Sequence, residues 1–160
     1  MSRQPSPHRP RALSPIGRVA KLDYGVLDQL LGYALRRAQV RMFMAFHEAM
    51  RGLDITPPRF TALVIIGSNP GLSQSDLGKV LGIARSGAML MTDWLEGRAL
   101  VERRRRPGDG RAWGLHLTAE GEGLTGRLQR RLLQLDRKHT PGLTGKDRRQ
   151  LHGLLEKLAG

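Results

Sequence analysis

Four consecutive arginines, Arg103 to Arg106, form the longest run of positive charge in the sequence and lie directly before a Pro-Gly-Asp-Gly turn. Guanidinium groups form charge-assisted hydrogen bonds with phosphates, so a polyanion is the partner that such a run would fit. Because side chains alternate between the two faces of a strand, we expect one alternate pair of these arginines to face phosphate and the other pair to be hydrated. A hydrated loop without a partner would carry the same charge, and the surrounding elements must decide between the two.

The whole chain is strongly basic. Its 160 residues include 27 Lys and Arg against 14 Asp and Glu, a net charge of +13. Such a charge favours nucleic acid, anionic lipid or a phosphorylated ligand as partner. No stretch approaches the ~18–20 apolar residues of a membrane span, and no secretory signal is present. We therefore expect a cytoplasmic protein with no membrane partner.

Enzyme and metal chemistry find no support in the residue types. Cysteine is absent, which excludes disulfides and thiolate metal sites. The five histidines are scattered without ligand spacing, and no Gly-rich phosphate loop occurs. We expect no catalytic residue, no metal and no cofactor, and an enzyme with an unrecognised site is the weakest alternative.

Apolar periodicity and capping residues predict the elements that position the arginine run. Spacings of three and four predict a helix from Asp23 to about Met50 and further helices beginning after Thr56, Thr118 and Thr144. The stretch "LSQSDLGKVLG" predicts a short helix capped by Ser73 and ended by Gly82, and another runs from about Arg85 to Glu96. The runs "LVERR" and "AWGLHLT" flank the turn "RPGDGR" and predict a β-hairpin.

This element order predicts a mainly α fold with a small β-hairpin, a winged helix-turn-helix. The winged helix covers about residues 55–117, between dimerisation helices at about 23–50 and 119–158, in a single domain of residues 23–160. Residues 1–22, with five basic residues, four prolines and no acid, predict a disordered basic arm. Leucine stripes in the terminal helices exceed what one winged helix can bury, so we expect a two-fold homodimer.

The stretch "GLSQSDLGKVLGIARSGAMLMTDWLEGRALVERRRRPGDGRAWGLHLTAEG" resembles the MarR family of bacterial transcription regulators, and the resemblance extends over about residues 23–158. It implies a dimer that binds a pseudo-palindromic double-stranded DNA operator and is released by a small-molecule effector. We predict a repressor of this kind. The alternative is an architectural protein indifferent to sequence, which the net charge of +13 favours.

The resemblance also implies roles for individual residues. Asp109 and Arg111 match the wing Asp-x-Arg, whose arginine enters the minor groove. We assign register and base readout to Arg85, Ser86 and Arg111. The run from Arg103 to Arg106 is assigned to affinity and salt dependence through phosphate contacts. The candidate DNA-contact residues are Ser73, Gln74, Arg85, Ser86, Arg103, Arg104, Arg105, Arg106, Asp109 and Arg111.

Four positions depart from the family pattern. Gly110 stands where a further arginine is frequent, and Ala99 replaces the glycine of "GLVER". Leu90 and Trp94 stand where the DNA-facing side often carries polar or basic side chains. These two put the usual base contacts in doubt, although apolar contact with thymine methyl groups is compatible with them.

The segment "GYALRRAQVRMFMAFHEAM" carries a possible effector site. Arg37 and Arg41 lie one helical turn apart, with Arg36 on an adjacent face. They form either an exposed basic strip or an anion clamp. With "GAMLMTDWLE", the segment resembles regulators of hydroxycinnamate catabolism, which implies an aromatic acid or aromatic acyl-CoA effector and a catabolic operon. The candidate effector-binding residues are Arg36, Arg37, Arg41, Phe43, Met44 and His47.

Overall fold

The computed structural model describes residues 17–106 and 109–160, and the side chains at all of these positions except 106 and 109–112. The chain divides into two compact units, Met1–Ala45 and Phe46–Gly160. Most of the predicted basic arm, residues 1–16, lies outside the described residues. The single domain of residues 23–160 remains a prediction.

The first unit contains a short 3-10 helix, Gly25–Gln29, followed by most of helix α1, Leu31–Ala49. The prediction of one helix starting at Asp23 was therefore wrong at this end. Asp23 Oδ1 accepts a hydrogen bond from the Gly25 amide at 2.8 Å, and Gly25 has a φ of +52°. Both features are typical of turns, and Leu30 is extended between the two helices.

The second unit contains helix α2 (Pro57–Ser68), followed by the predicted helix-turn-helix of α3 (Gln74–Leu81) and α4 (Arg85–Gly97). Ser73 Oγ accepts the Asp76 amide at 3.0 Å and caps α3, while Gly82 ends it with a φ of +63°. Thr56 occupies the N-cap position of α2 but makes no side-chain cap hydrogen bond. Because the next two residues are prolines, the first turn of α2 has few amide donors to satisfy.

The predicted hairpin is confirmed as β1 (Val101–Arg106) and β2 (Asp109–Leu117), which pair antiparallel with Val101 opposite Leu117. The tip, residues 107–108, lies outside the described residues. The Leu115 amide donates to the Leu72 carbonyl at 2.9 Å, and the Leu115 carbonyl accepts from the Gly71 amide at 2.9 Å. The hairpin is thereby joined to the segment that leads into α3.

Buried apolar side chains of the second unit form one core beneath the helix-turn-helix and the hairpin. Close packing of such side chains fixes the positions of the elements that carry them. The core residues are Ala49, Met50, Ile55, Ala62, Leu63, Ile66, Leu77, Leu95, Leu100, Val101, Leu115 and Leu128.

The chain ends in helices α5 (Ala119–His139) and α6 (Gly145–Ala159), which begin after Thr118 and Thr144 as predicted. Thr144 and Asp147 form a reciprocal capping box, and the hydrogen bonds from Thr144 lower the pKa of Asp147. A Cβ at Gly121 would lie 2.0 Å from the Leu100 carbonyl oxygen. Only glycine therefore lets α5 approach the segment between α4 and β1 this closely.

Ala99 provides a test of backbone strain between α4 and β1. It has a φ of +54°, in the left-handed region where a Cβ costs about 1–2 kcal/mol. Ala99→Gly removes this strain but adds entropy to the unfolded chain, so we expect the free energy of unfolding to rise by about 1 kcal/mol. Urea unfolding followed by circular dichroism measures it.

The control is Ala38→Gly, an exposed position inside α1, which should lower the free energy of unfolding by about 1 kcal/mol. An Ala99→Gly protein no more stable than the parent would contradict the strain argument.

Candidate nucleic-acid interface

Helix α4 turns one face to the core and leaves the opposite face exposed. Ala88, Thr92 and Leu95 are fully buried. The exposed face begins with Arg85 and Ser86 and continues with Met89 and Leu90, which are 48% and 67% exposed. The predicted readout residues Arg85 and Ser86 are therefore accessible at the start of this helix, beside apolar rather than polar neighbours.

A concavity of about 300 Å³ lies between α3 and α4 and brings together basic and amide side chains. Two candidate contacts, Gln74 and Arg85, line it together with Lys79, which sequence reasoning did not select. Lys79 Nζ donates to Asp76 Oδ1 at 2.8 Å, and this bond raises the pKa of Lys79. The ammonium group therefore stays charged beside the helix pair.

Ser73, another candidate contact, uses its hydroxyl inside the cap of α3. Besides accepting the Asp76 amide, its Oγ donates to Asp76 Oδ2 at 2.7 Å. The structure therefore gives this hydroxyl a local role, and its contact with DNA remains a prediction.

Arg103 faces inward and ties the hairpin to both helices of the helix-turn-helix. Its guanidinium donates to Glu96, to Asp93 Oδ1 at 2.7 Å and to Gln74 Oε1 at 3.3 Å, and its side chain is only 28% exposed. From the sequence we expected Arg103 to contact DNA phosphates like the other arginines of the run. The structure instead surrounds it with acceptors from α3 and α4.

The next two arginines lie nearer the tip of the hairpin. The Arg104 side chain is 58% exposed, and its Nε donates to Glu102 Oε1 at 3.0 Å. The guanidinium carbon of Arg105 is 5.0 Å from the ring centroid of Trp113, its partner across the strands. The arginines thus differ in their surroundings along the strand.

Three further wing candidates lack a described side chain. The backbone of Arg106 belongs to β1 and that of Asp109 and Arg111 to β2, but their side chains lie outside the described residues. Their contacts with DNA remain predictions.

Trp94 does not lie on the exposed face of α4, contrary to the sequence expectation. The guanidinium carbons of Arg59 and Arg98 are 3.6 and 4.6 Å from its ring centroid. Both arginines also bond Asp54, at 2.8 and 2.9 Å. The half-buried indole packs against the core, so it braces α4 rather than reading bases.

The candidate effector residues are placed along α1. Arg37 is half-buried, and its Nε is buried without a hydrogen-bond partner in the part of the chain that the structure describes. Arg36 and Arg41 are exposed. Phe43 and Met44 are half-buried in the first unit, whereas His47 belongs to the second unit and is exposed.

Among residues 17–106 and 109–160, no group of three or more His, Asp or Glu side chains could hold a metal ion. The described helices include none that is long and apolar enough to span a bilayer.

The model of the MarR family matches residues 55–113. A protein of Thauera aromatica, proposed as the transcriptional regulatory protein for the hcr operon, is 32% identical over 141 residues, which are 88% of this chain and 85% of the relative. The transcriptional repressor CouR bound to a 23-mer DNA duplex is 36% identical with a TM-score of 0.78, over 88% of this chain and 100% of that one. The chain belongs to the MarR family.

CouR bound to p-coumaroyl-CoA is also similar, with 34% identity and a TM-score of 0.74 over 87% of this chain and 98% of that one. The matched residues 55–113 of this MarR-type transcriptional regulator contain α2, α3, α4 and most of the hairpin. The winged helix-turn-helix predicted from the sequence is thus confirmed.

The different surroundings of Arg103 and Arg104 predict different effects on stability. Arg103→Gln removes a partly buried guanidinium from two carboxylates, so we expect the free energy of unfolding to fall by about 1–2 kcal/mol. Arg104→Gln, at an exposed pair, should change it by less than about 0.5 kcal/mol. Urea unfolding without DNA compares the two variants, and equal losses would show that Arg103 does not brace the hairpin.

Proposed function

We propose that this regulator is a homodimeric repressor that binds a pseudo-palindromic operator of a catabolic operon and leaves it when an aromatic acid or aromatic acyl-CoA binds. The attachment of β1 to α3 and α4 through Arg103 carries this proposal. It keeps the wing beside the helix that carries Arg85 and Ser86, so both can contact one duplex. The similarity to CouR bound to DNA supports this function.

In this proposal α4 enters the major groove and the wing reaches the adjacent minor groove. Arg85 and Ser86 contact base edges from the exposed start of α4, and Arg111, held by Asp109, enters the minor groove. Gln74 and Lys79 contact the backbone from the concavity. Arg104, Arg105 and Arg106 supply phosphate contacts and salt dependence. Ser73, at the start of α3, adds an uncharged contact to the DNA backbone.

Arg103 takes a different role from the one predicted. Its guanidinium already donates hydrogen bonds to Glu96, Asp93 and Gln74, so a phosphate would have to compete with two carboxylates. We therefore assign Arg103 to positioning the wing.

A second copy of the chain accounts for the exposed leucines of the terminal helices. In α6, Leu151, Leu154, Leu155 and Leu158 are all exposed, and so is Leu133 in α5. A stripe of this kind is stable in water when a partner covers it. To bind two adjacent half-sites, a two-fold dimer through these helices needs its two α4 helices about 34–36 Å apart, one turn of DNA.

The effector proposal rests on α1. A buried guanidinium nitrogen without a partner is costly, and an anionic ligand would satisfy the Nε of Arg37. Arg36 and Arg41 would add charge for acyl-CoA phosphates, Phe43 and Met44 an apolar surface, and His47 a hydrogen bond. The similarity to CouR bound to p-coumaroyl-CoA supports this ligand class. Binding would shift the dimer towards a state that does not fit the operator.

An architectural DNA-binding protein remains the second candidate. It is favoured by the net charge of +13 and by the apolar exposed face of α4, since both supply contacts without hydrogen-bond readout.

Affinity for a selected operator and for random duplex separates the two candidates. We expect a ratio above ~10³ for the repressor, whereas a ratio below about tenfold favours the architectural protein.

Arg85→Ala should weaken operator binding by about 1–3 kcal/mol. Arg104→Ala should weaken both duplexes alike and reduce the salt slope by about one. Fluorescence anisotropy at several salt concentrations measures the affinity of the parent and of each variant for both duplexes, and the salt slope of binding.

Release by an effector is tested with Arg37→Ala combined with Arg41→Ala. Because α1 lies outside the proposed DNA contacts, operator affinity should stay within about twofold, whereas p-coumaroyl-CoA should no longer release the duplex. Arg51→Ala, an exposed arginine just after α1, is the matched control and should respond like the parent. Equal release from the double variant and the parent would exclude the anion clamp.

A further inference from the structure

After its first two residues, Arg85 and Ser86, the exposed face of α4 has little hydrogen-bonding capacity left for bases. Ser86, Met89, Leu90 and Asp93 share this face, at spacings of three, four and seven residues. Asp93 Oδ1 accepts a hydrogen bond from Arg103 at 2.7 Å, so this carboxylate is engaged within the fold. Beyond Ser86, the face offers two large apolar side chains, Met89 and Leu90, which are 48% and 67% exposed.

The surroundings of this apolar pair indicate its occupant. Arg85 begins the same helix one turn before Met89, and Lys79 lines the concavity beside Arg85. Positive charge at this end of the pair fits a polyanion better than an apolar protein surface, which would have to bury those cations. The apolar group that a polyanionic duplex presents in its major groove is the C5 methyl of thymine.

We propose that Met89 and Leu90 determine operator specificity by contacting thymine C5 methyl groups in the major groove. The inference rests on the proposed function, because it requires α4 to enter that groove at a selected sequence. Each half-site then contains thymines whose methyl groups, rather than their hydrogen-bonding edges, are read. Met89 can adapt to the groove through its flexible chain, while the branched Leu90 gives the more position-specific contact.

Replacing thymine with deoxyuridine tests this directly, because it removes the methyl and keeps the hydrogen-bonding edge. The operator is first selected from a randomised duplex pool, and each thymine is then replaced in turn. We expect affinity to fall about fourfold at one or two positions per half-site, the ratio that corresponds to ~0.8 kcal/mol for one methyl group. Leu90→Ala or Met89→Ala should abolish the thymine-to-uracil difference at its own position.

Val80→Ala is the matched control, because Val80 is an exposed apolar residue on α3 and should leave every thymine-to-uracil ratio unchanged. Thermal unfolding within about 2–4 °C of the parent verifies that the exposed substitutions preserve the fold.

The possible outcomes distinguish a failure of methyl readout from a failure of the proposed repressor function. Specific binding without any uracil-sensitive position, or sensitivity that persists in both α4 variants, overturns methyl readout and leaves the repressor intact. Failure to select any sequence above random duplex overturns the proposed operator and the methyl readout together.

Discussion

The guanidinium of Arg103 joins three elements that are separate along the chain. Its side chain extends from β1 and donates hydrogen bonds to acceptors on α3 and α4. Its carboxylate partners, Asp93 and Glu96, lie on the second helix of the pair, and its amide partner, Gln74, begins the first. Partial burial strengthens these charge-assisted bonds relative to fully hydrated pairs. The wing is therefore held against α3 and α4, as the proposed contact with two adjacent grooves of a duplex requires.

A second brace holds the other side of the same helix. Trp94 packs against Arg59 and Arg98, and Asp54 bonds both arginines, so the end of α4 is fixed to the start of α2. Charged side chains thus position α4, whereas apolar ones occupy much of its exposed face. The proposed readout of single methyl groups depends on this division, because it needs the apolar face to be held in one position.

Two other features, outside α3, α4 and the hairpin, each create a demand for a partner that the described residues do not supply. The leucines of α6 are exposed along one helix, and the Nε of Arg37 in α1 is buried without a partner in the described part of the chain. A second copy would satisfy the first demand and an anionic ligand the second. Because neither demand involves α3, α4 or the hairpin, the proposed dimer and effector contacts leave the proposed DNA-contact residues of these elements accessible.

The sequence by itself determined the element order, since caps such as Ser73 and Thr144, the left-handed Gly82 and apolar periodicity all act within one or two turns. The resemblance to the MarR pattern marked Ala99 as a departure from glycine, and its positive φ shows why glycine suits this position. Only the tertiary structure decided the roles of Arg103 and Trp94, whose partners lie 7 to 29 residues away for Arg103 and in another helix for Trp94. Periodicity tells which face a side chain occupies, but its neighbour there depends on how separate helices pack.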